Sequence, residues 1–148
     1  MTRSKPFRAP AVLESLAREH FALDHPSPFM LETCQVISPI PLPAVTHVDG
    51  SARVQTVTRA TNWRFADLLE HFYNRTGCPI LLNTSFNLRG EPIACSTMDA
   101  ISCFGRSKME TLVLEDFVVD RCDLPPAWER LSRRQPITAQ DYVVYAML

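Results

Sequence analysis

The segment 62–77, NWRFADLLEHFYNRTG, constrains this chain most. Asn62 is a good N-cap, Phe65, Leu68, Leu69 and Phe72 recur at helical spacing, and Gly77 supplies a left-handed stop. An apolar stripe of that width must lie on another layer. The chain supplies one immediately, because the run at 79–82 reads as a strand. The rest of the sequence alternates in the same way. Residues 10–23 read as a helix with Pro10 in its first turn and Val12, Leu13, Leu16, Ala17 and Phe21 on one face. Strands are expected at 29–37 and 52–58, separated by an extended stretch with prolines at 39, 41 and 43 and by an Asp49-Gly50 turn. A third helix starts at the capping-box pattern Ser96-Thr97-Met98-Asp99, buries Ala100, Ile101 and Phe104, and ends near Gly105. Residues 111–119 read as a buried strand, 128–133 as a short helix, and the apolar end 141–148 as helix or strand. The expected class is α+β with α/β-type alternation: an open, twisted mixed sheet covered by helices, in a single domain over 1–148.

With 148 residues, 46% of them hydrophobic and 21% charged, the chain can bury a sizeable core. A net charge of -1 excludes a broad electrostatic grip on nucleic acid. No run approaches the roughly 18 apolar residues of a membrane span, and MTRSKPFRAP lacks the apolar centre of a secretory signal, so a soluble cytoplasmic protein is expected. The five cysteines form no C-x-x-C pair and the four histidines are scattered. They read as reduced, mostly buried thiols, and no metal site is predicted.

The apolar run Ile80-Leu81-Leu82 breaks into Asn83-Thr84-Ser85-Phe86-Asn87, followed by a turn at Gly90 and by Glu91. Hydroxyl and amide side chains with freed backbone N–H groups at the end of a strand suit phosphate or carboxylate oxygens. Ser85 and Asn87 share a direction if the backbone stays extended. The same residues equally suit a role in satisfying turn backbone. His47 and Asp49, two apart, read either as an orienting pair near a ligand or as part of the Asp49-Gly50 turn.

PILLNTSFNLRGEPI, MDAISCF and METLVLEDFVV, preceded by APAVLE, SPFML and PAVTHVDGSARVQTV, together resemble the C-terminal domain of the NodU/CmcH family of O-carbamoyltransferases, over about residues 6–119. Residues 120–148 carry no resemblance. The match implies a YrdC/RibB-like open sheet, expected in a truncated version, that binds ATP with Mg²⁺ and carbamoyl phosphate and forms carbamoyl-adenylate. It implies catalytic roles for Arg53 and Ser85. It implies ligand binding by Arg53, Ser85 and Asn87, with Ser85-Phe86-Asn87 matching the S-x-N motif of YrdC-type sites. Asn83 and Thr84 are expected to shape the same binding loop, and Glu91 reads either as a structural acceptor for loop backbone, the favoured option, or as a ligand to a nucleotide hydroxyl.

The K-x-R pair of such sites has no counterpart, since only Arg3-Ser4-Lys5 stands near the start, with the basic residues in opposite order. The family's N-terminal transfer domain is also outside the match, so its partner is expected to be a separate transferase domain or subunit, and little turnover is expected from this chain alone. The competing expectation is a non-catalytic module that binds a small anion or a protein, with a homodimer through the apolar tail as one form.

Overall fold

The structure, a computed structural model, describes residues 8–125 and Trp128. They form two compact units that divide at the Thr84–Ser85 junction.

The first unit is built on a three-stranded mixed sheet of order β4-β1-β5. Its central strand is β1 (Ala9–Leu13), parallel to β4 (Gln55–Val57) and antiparallel to β5 (Ile80–Asn83). The expected helix over 10–23 is therefore a strand followed without a linker by α1 (Glu14–His20). The physical reason is burial on both faces: Ala9, Ala11 and Val12 are sealed in the interior. A strand of that kind reads as a continuous apolar run, with no alternation to separate it from a helix. Leu13 accordingly stands at the N-cap of α1 and supplies no side-chain cap.

The two faces of this sheet hold separate cores. Val12, Val54 and Ile80 pack with Ala17, Phe21 and Ala52 on one side. On the other, Ala11 and Val57 meet Ala66 and Leu69 of α2 (Trp63–Thr76). α2 is capped as expected: the Asn62 side chain accepts from Phe65 N, and Gly77 ends the helix at φ 72°. The buried stripe is narrower than the apolar count suggested. Ala66 and Leu69 are fully covered, while Leu68 is 40% exposed. A three-stranded sheet gives a helix only a narrow seat.

The expected strand 29–37 contracts to β2 (Thr33–Gln35), and 52–58 divides into β3 (Ser51–Arg53) and β4 around buried Val54. β2 and β3 form a separate antiparallel ribbon. The chain can thus leave one sheet and enter another within a single residue.

The second unit packs α3 (Thr97–Arg106) on a hairpin of β6 (Thr111–Leu114) and β7 (Phe117–Asp120). The capping box at Ser96 and Asp99 forms as read. The single buried strand expected over 111–119 is instead this hairpin, turned by Glu115 at φ 50°. Only one face of a two-stranded ribbon can be covered, so Val113 and Val118 remain outside. The core is Phe86, Leu88, Ala100, Cys103, Phe104, Met109 and Leu112. Arg121 locks it, donating from Nε to Met109 O at 2.6 Å and from Nη2 to Phe104 O at 2.6 Å. Beyond the expected family match, the Trp128 indole lies against Gly105, so close that a Cβ there would stand 2.8 Å from Nε1. The apolar tail and the rest of the expected helix 128–133 lie outside the described residues.

All five described cysteines are free thiols, but only Cys103 is buried; Cys95 and Cys122 are exposed. The described residues contain no group of three or more His, Cys, Asp or Glu that could hold a metal ion, and no helix long and apolar enough to cross a membrane.

Candidate functional site

β5 carries the polar loop out of the first unit. Because β5 is antiparallel to β1, Asn83 sits beside Ala9, at the edge where β1 begins. The parallel strands β1 and β4 end together at the opposite edge, where Leu13 pairs Val57. A cavity of about 640 Å³ opens at that opposite edge, lined by Glu14, Arg18, His25, Thr58, Arg59 and Glu70 among others.

Asn83 has a specific local role. Its Nδ2 donates to Gln55 Oε1 at 2.6 Å. The register places both residues on the α2 face of the sheet, on either side of Ala9 and Ala11. Two methyl groups leave room for a side-chain bond across the central strand; larger residues would not. Gln55 in turn donates from Nε2 to Pro28 O at 3.2 Å, tying the 26–28 segment to the same strand. Nothing in the sequence singled out Gln55, since its partner is 28 residues away. Thr84, next in the chain, is buried.

Ser85 opens the second unit, exposed and with no hydrogen bond to any described residue. Phe86 and Leu88, its neighbours two positions apart, turn into the core. The backbone between them is closed into a loop by Ala94 N donating to Phe86 O at 2.9 Å and Glu91 N to Leu88 O at 3.0 Å. Gly90, at φ 83°, permits the bend. Asn87 is the internal brace: its Nδ2 donates to Leu88 O at 3.1 Å and Glu91 O at 2.9 Å. Both amide hydrogens are thereby used, which leaves Oδ1 as the uncommitted polar atom of that side chain. Asn87 thus serves the turn, while the Ser85 hydroxyl makes no hydrogen bond to a described residue.

Glu91 is held by a residue that the sequence reading missed. Arg106, in the last turn of α3, donates from Nη2 to Glu91 Oε2 at 2.8 Å and from Nη1 to Oε1. Such a fork gives a carboxylate both charge and direction. The only sequence signal was a basic residue at the end of a helix, which ordinarily serves the helix dipole. The pair lines a cavity of about 460 Å³ together with Phe86, Asn87, Cys95 and Cys103. Burial pushes the Cys103 thiol up to about 11, with the Glu91 charge adding to the effect, so it is a neutral wall rather than a nucleophile. Asp99 also faces the cavity, with Oδ2 taken by Cys95 N, Ser96 N and Ser96 Oγ in the cap of α3.

Arg53 ends β3 in the first unit, half-buried and opposite Thr33. Beside it stands the His47–Ser51 turn: His47 N donates to Ser51 O at 2.7 Å, Gly50 N to His47 O at 3.1 Å, and Ser51 N to Asp49 Oδ1 at 3.0 Å. Asp49 is therefore a turn-forming residue. The hydrogen bond from the Ser51 hydroxyl holds its carboxyl below the usual carboxylate range.

The sequence pattern of the family described as "Carbamoyltransferase C-terminus" matches residues 2–121. Among curated proteins, the chain is 45% identical to "Uncharacterized protein sll1178" of Synechocystis, over 82% of this chain and 23% of that protein. It is 41% identical to "Nodulation protein NolNO" of Sinorhizobium fredii, over 89% of this chain and 20% of that protein. It is 40% identical to "Nodulation protein NolO" of Bradyrhizobium diazoefficiens, over 96% of this chain and 24% of that protein. The chain thus spans about a fifth to a quarter of the length of these relatives.

Proposed function

The chain belongs to the carbamoyltransferase C-terminus family, and on that premise we propose that the loop from Ser85 to Glu91 and its adjoining cavity bind the phosphoryl oxygens of ATP or carbamoyl phosphate. The observation that carries this reading is the uncommitted Ser85 hydroxyl, at the head of a loop whose own backbone needs are met by Asn87. A hydroxyl on a rigid loop is a phosphate ligand that has no ordering cost left to meet.

The donor set fits a phosphoryl group with one condition. Arg106 is the cation lining the cavity, and its fork is occupied by Glu91. Phosphoryl oxygens must join or replace Glu91 as its partner, and guanidinium serves either anion with the same bidentate geometry. Arg106 then supplies positive charge to the phosphoryl group from within the cavity. Mg²⁺ bound with the nucleotide offsets phosphate repulsion. The Cys103 wall and Phe86 keep water from one side of the cavity, strengthening each charge–charge contact. Arg53 is a second candidate carried by the family pattern, and its own variant tests it. Transfer of the carbamoyl group to an acceptor hydroxyl is assigned to the remainder of a longer polypeptide or to a separate subunit.

The test is calorimetric titration of the chain with ATP·Mg²⁺ and with freshly prepared carbamoyl phosphate. Binding of either that weakens about tenfold or more in Ser85→Ala is expected. Heat from neither ligand would remove the proposal and favour the partner-binding module.

A further inference from the structure

β1 and β4 are parallel neighbours, and the chain leaves their carboxyl ends toward opposite faces of the sheet. From β1 it turns into α1, whose Ala17 joins the core of Val12 and Val54. From β4 it crosses residues 58–62 into α2, whose Ala66 and Leu69 join the core of Ala11 and Val57. Adjacent parallel strands whose connections diverge in this way leave a crevice between them, and open sheets bind small molecules in such crevices. The cavity of about 640 Å³ occupies that place. Its apolar walls come from both cores, Ala17 and Leu23 from one, Leu13 and Val57 from the other.

The charges around this cavity are answered unequally. Arg59 is held by two carboxylates, its Nη2 lying 2.5 Å from Asp67 Oδ1 and 2.7 Å from Glu70 Oε2. His25 is likewise held by Asp24 Oδ1 at 2.6 Å and Glu32 Oε2 at 2.7 Å. Arg18 donates from Nη2 to the Asp24 carbonyl at 2.5 Å. Glu14, the remaining charge on the lining, meets no described residue. Arg18 stands four positions along α1 from Glu14, the spacing at which the two ordinarily pair, yet it turns to Asp24 instead. Carboxylates therefore outnumber cations here even with His25 protonated, and the charge left to answer is negative.

We infer that this cavity binds a small organic cation, a primary ammonium with an apolar body, whose N–H groups reach the Glu14 carboxylate and the Ser15 hydroxyl while its carbon chain lies on Leu13, Ala17 and Val57. A carboxylate open to solvent gains little from an ion pair alone. An amine that also takes its methylene groups out of water adds the transfer of each one, so affinity rises with chain length until the walls are covered. An anion of the same shape meets the surplus of carboxylates and is rejected. The cavity lies at the opposite edge of the sheet from Asn83 and shares no residue with the proposed phosphoryl site, so the inference is independent of that reading.

The test is titration of the ¹⁵N-labelled full chain, at neutral pH and low ionic strength, with n-pentylammonium, 1-pentanol and pentanoate. These share one carbon chain and differ in the charge of the head group. The ammonium is expected to give saturable amide shifts centred on residues 13–15 and 56–59. The alcohol should bind about tenfold more weakly, and pentanoate should not saturate. Ethylammonium should bind more weakly than pentylammonium. Glu14 is exposed, so Glu14→Gln leaves the packing in place and should lower affinity for pentylammonium to that of the alcohol. Arg18→Gln removes a like charge and should leave that affinity equal or higher.

Equal binding of ammonium and alcohol by the parent chain overturns the inference, as does an ammonium affinity unmoved by Glu14→Gln. Ammonium shifts that never saturate overturn it as well. Pentanoate binding that exceeds that of the ammonium and is lost in Arg18→Gln overturns it by making the cavity an anion site. Neither Ser85 nor Arg106 takes part, so each of these outcomes leaves the proposed function standing, and loss of ATP or carbamoyl phosphate binding leaves this inference standing.

Discussion

Glu91 and Arg106, 15 residues apart in sequence, meet as a two-point ion pair across the cavity of the second unit. Their side chains are 32% and 20% exposed, so the pair is shielded more than a surface bridge and less than a buried one. The contact joins the end of the polar loop to the last turn of α3 and sets the position of both. It also keeps a cation beside the loop with its charge answered.

Removing the charge of Glu91 while keeping its shape isolates this contact. Glu91→Gln is expected to lower stability by about 1–2 kcal/mol, because a partly buried guanidinium loses a charged acceptor. Denaturant unfolding measures it, and a double-mutant cycle with Arg106→Met should show the two changes to be non-additive. Simple additivity would mean that the pair contributes nothing beyond its separate members.

Gly105 sets two effects against each other. Alanine in a helix interior gains about 1 kcal/mol over glycine. Here, however, the new Cβ would stand 2.8 Å from Trp128 Nε1 and 3.2 Å from Cε2. Overpacking of this kind costs about 1–3 kcal/mol, so Gly105→Ala should be net destabilising and should move the indole into water. Trp128 emission in a Trp63→Phe background reports the displacement. Placed on Trp128→Ala, the same substitution should become neutral or stabilising.

Ala11 lies wholly buried at the middle of the central strand, in one core cluster with Val57, Ala66 and Leu69. Ala11→Leu should cost about 1–3 kcal/mol or prevent folding, as it pushes α2 off the sheet. Were residues 10–23 a surface helix, the same change would be tolerated or favourable. The midpoint of urea unfolding decides between these outcomes.

His25 gives the pH dependence of the first unit. Its Nδ1 lies 2.6 Å from Asp24 Oδ1 and its Nε2 lies 2.7 Å from Glu32 Oε2. The hydrogen bond to Asp24, followed by that to Glu32, raises its pKa above the ordinary 6.5. A group whose folded pKa is raised contributes fully below the unfolded value and loses that contribution as pH rises through the folded pKa. Stability should therefore decline above pH 6.5, and the decline should vanish in His25→Gln. The NMR titration midpoint of His25 should lie above 6.5 in the folded chain; a midpoint at or below it would show that the carboxylates do not act on the ring.

Local signals were legible wherever chemistry and structure act within one turn of chain. The Asn62 cap, the Gly77 stop and the Ser96–Asp99 capping box all read directly, because each is a contact among residues three or four apart. The α+β class followed from the alternation of patterns, and the loop at 83–91 announced itself by composition. β1 was misread, since a strand covered on both faces carries no period-2 signal. The 111–119 run was misread for a related reason, as nothing local distinguishes one buried strand from a hairpin with one face uncovered.

By itself the sequence determined the family, the caps, the helices at 63 and 97, and the position of a polar loop after β5. Only the tertiary structure decided which polar groups are available. It committed the Asn87 amide to Leu88 and Glu91, left the Ser85 hydroxyl uncommitted, joined Asn83 to Gln55 across two alanines, and brought Arg106 to Glu91. The physical reason is that a hydrogen bond or ion pair belongs to two residues. When these lie 15 or 28 apart, their meeting depends on the path of the whole backbone between them.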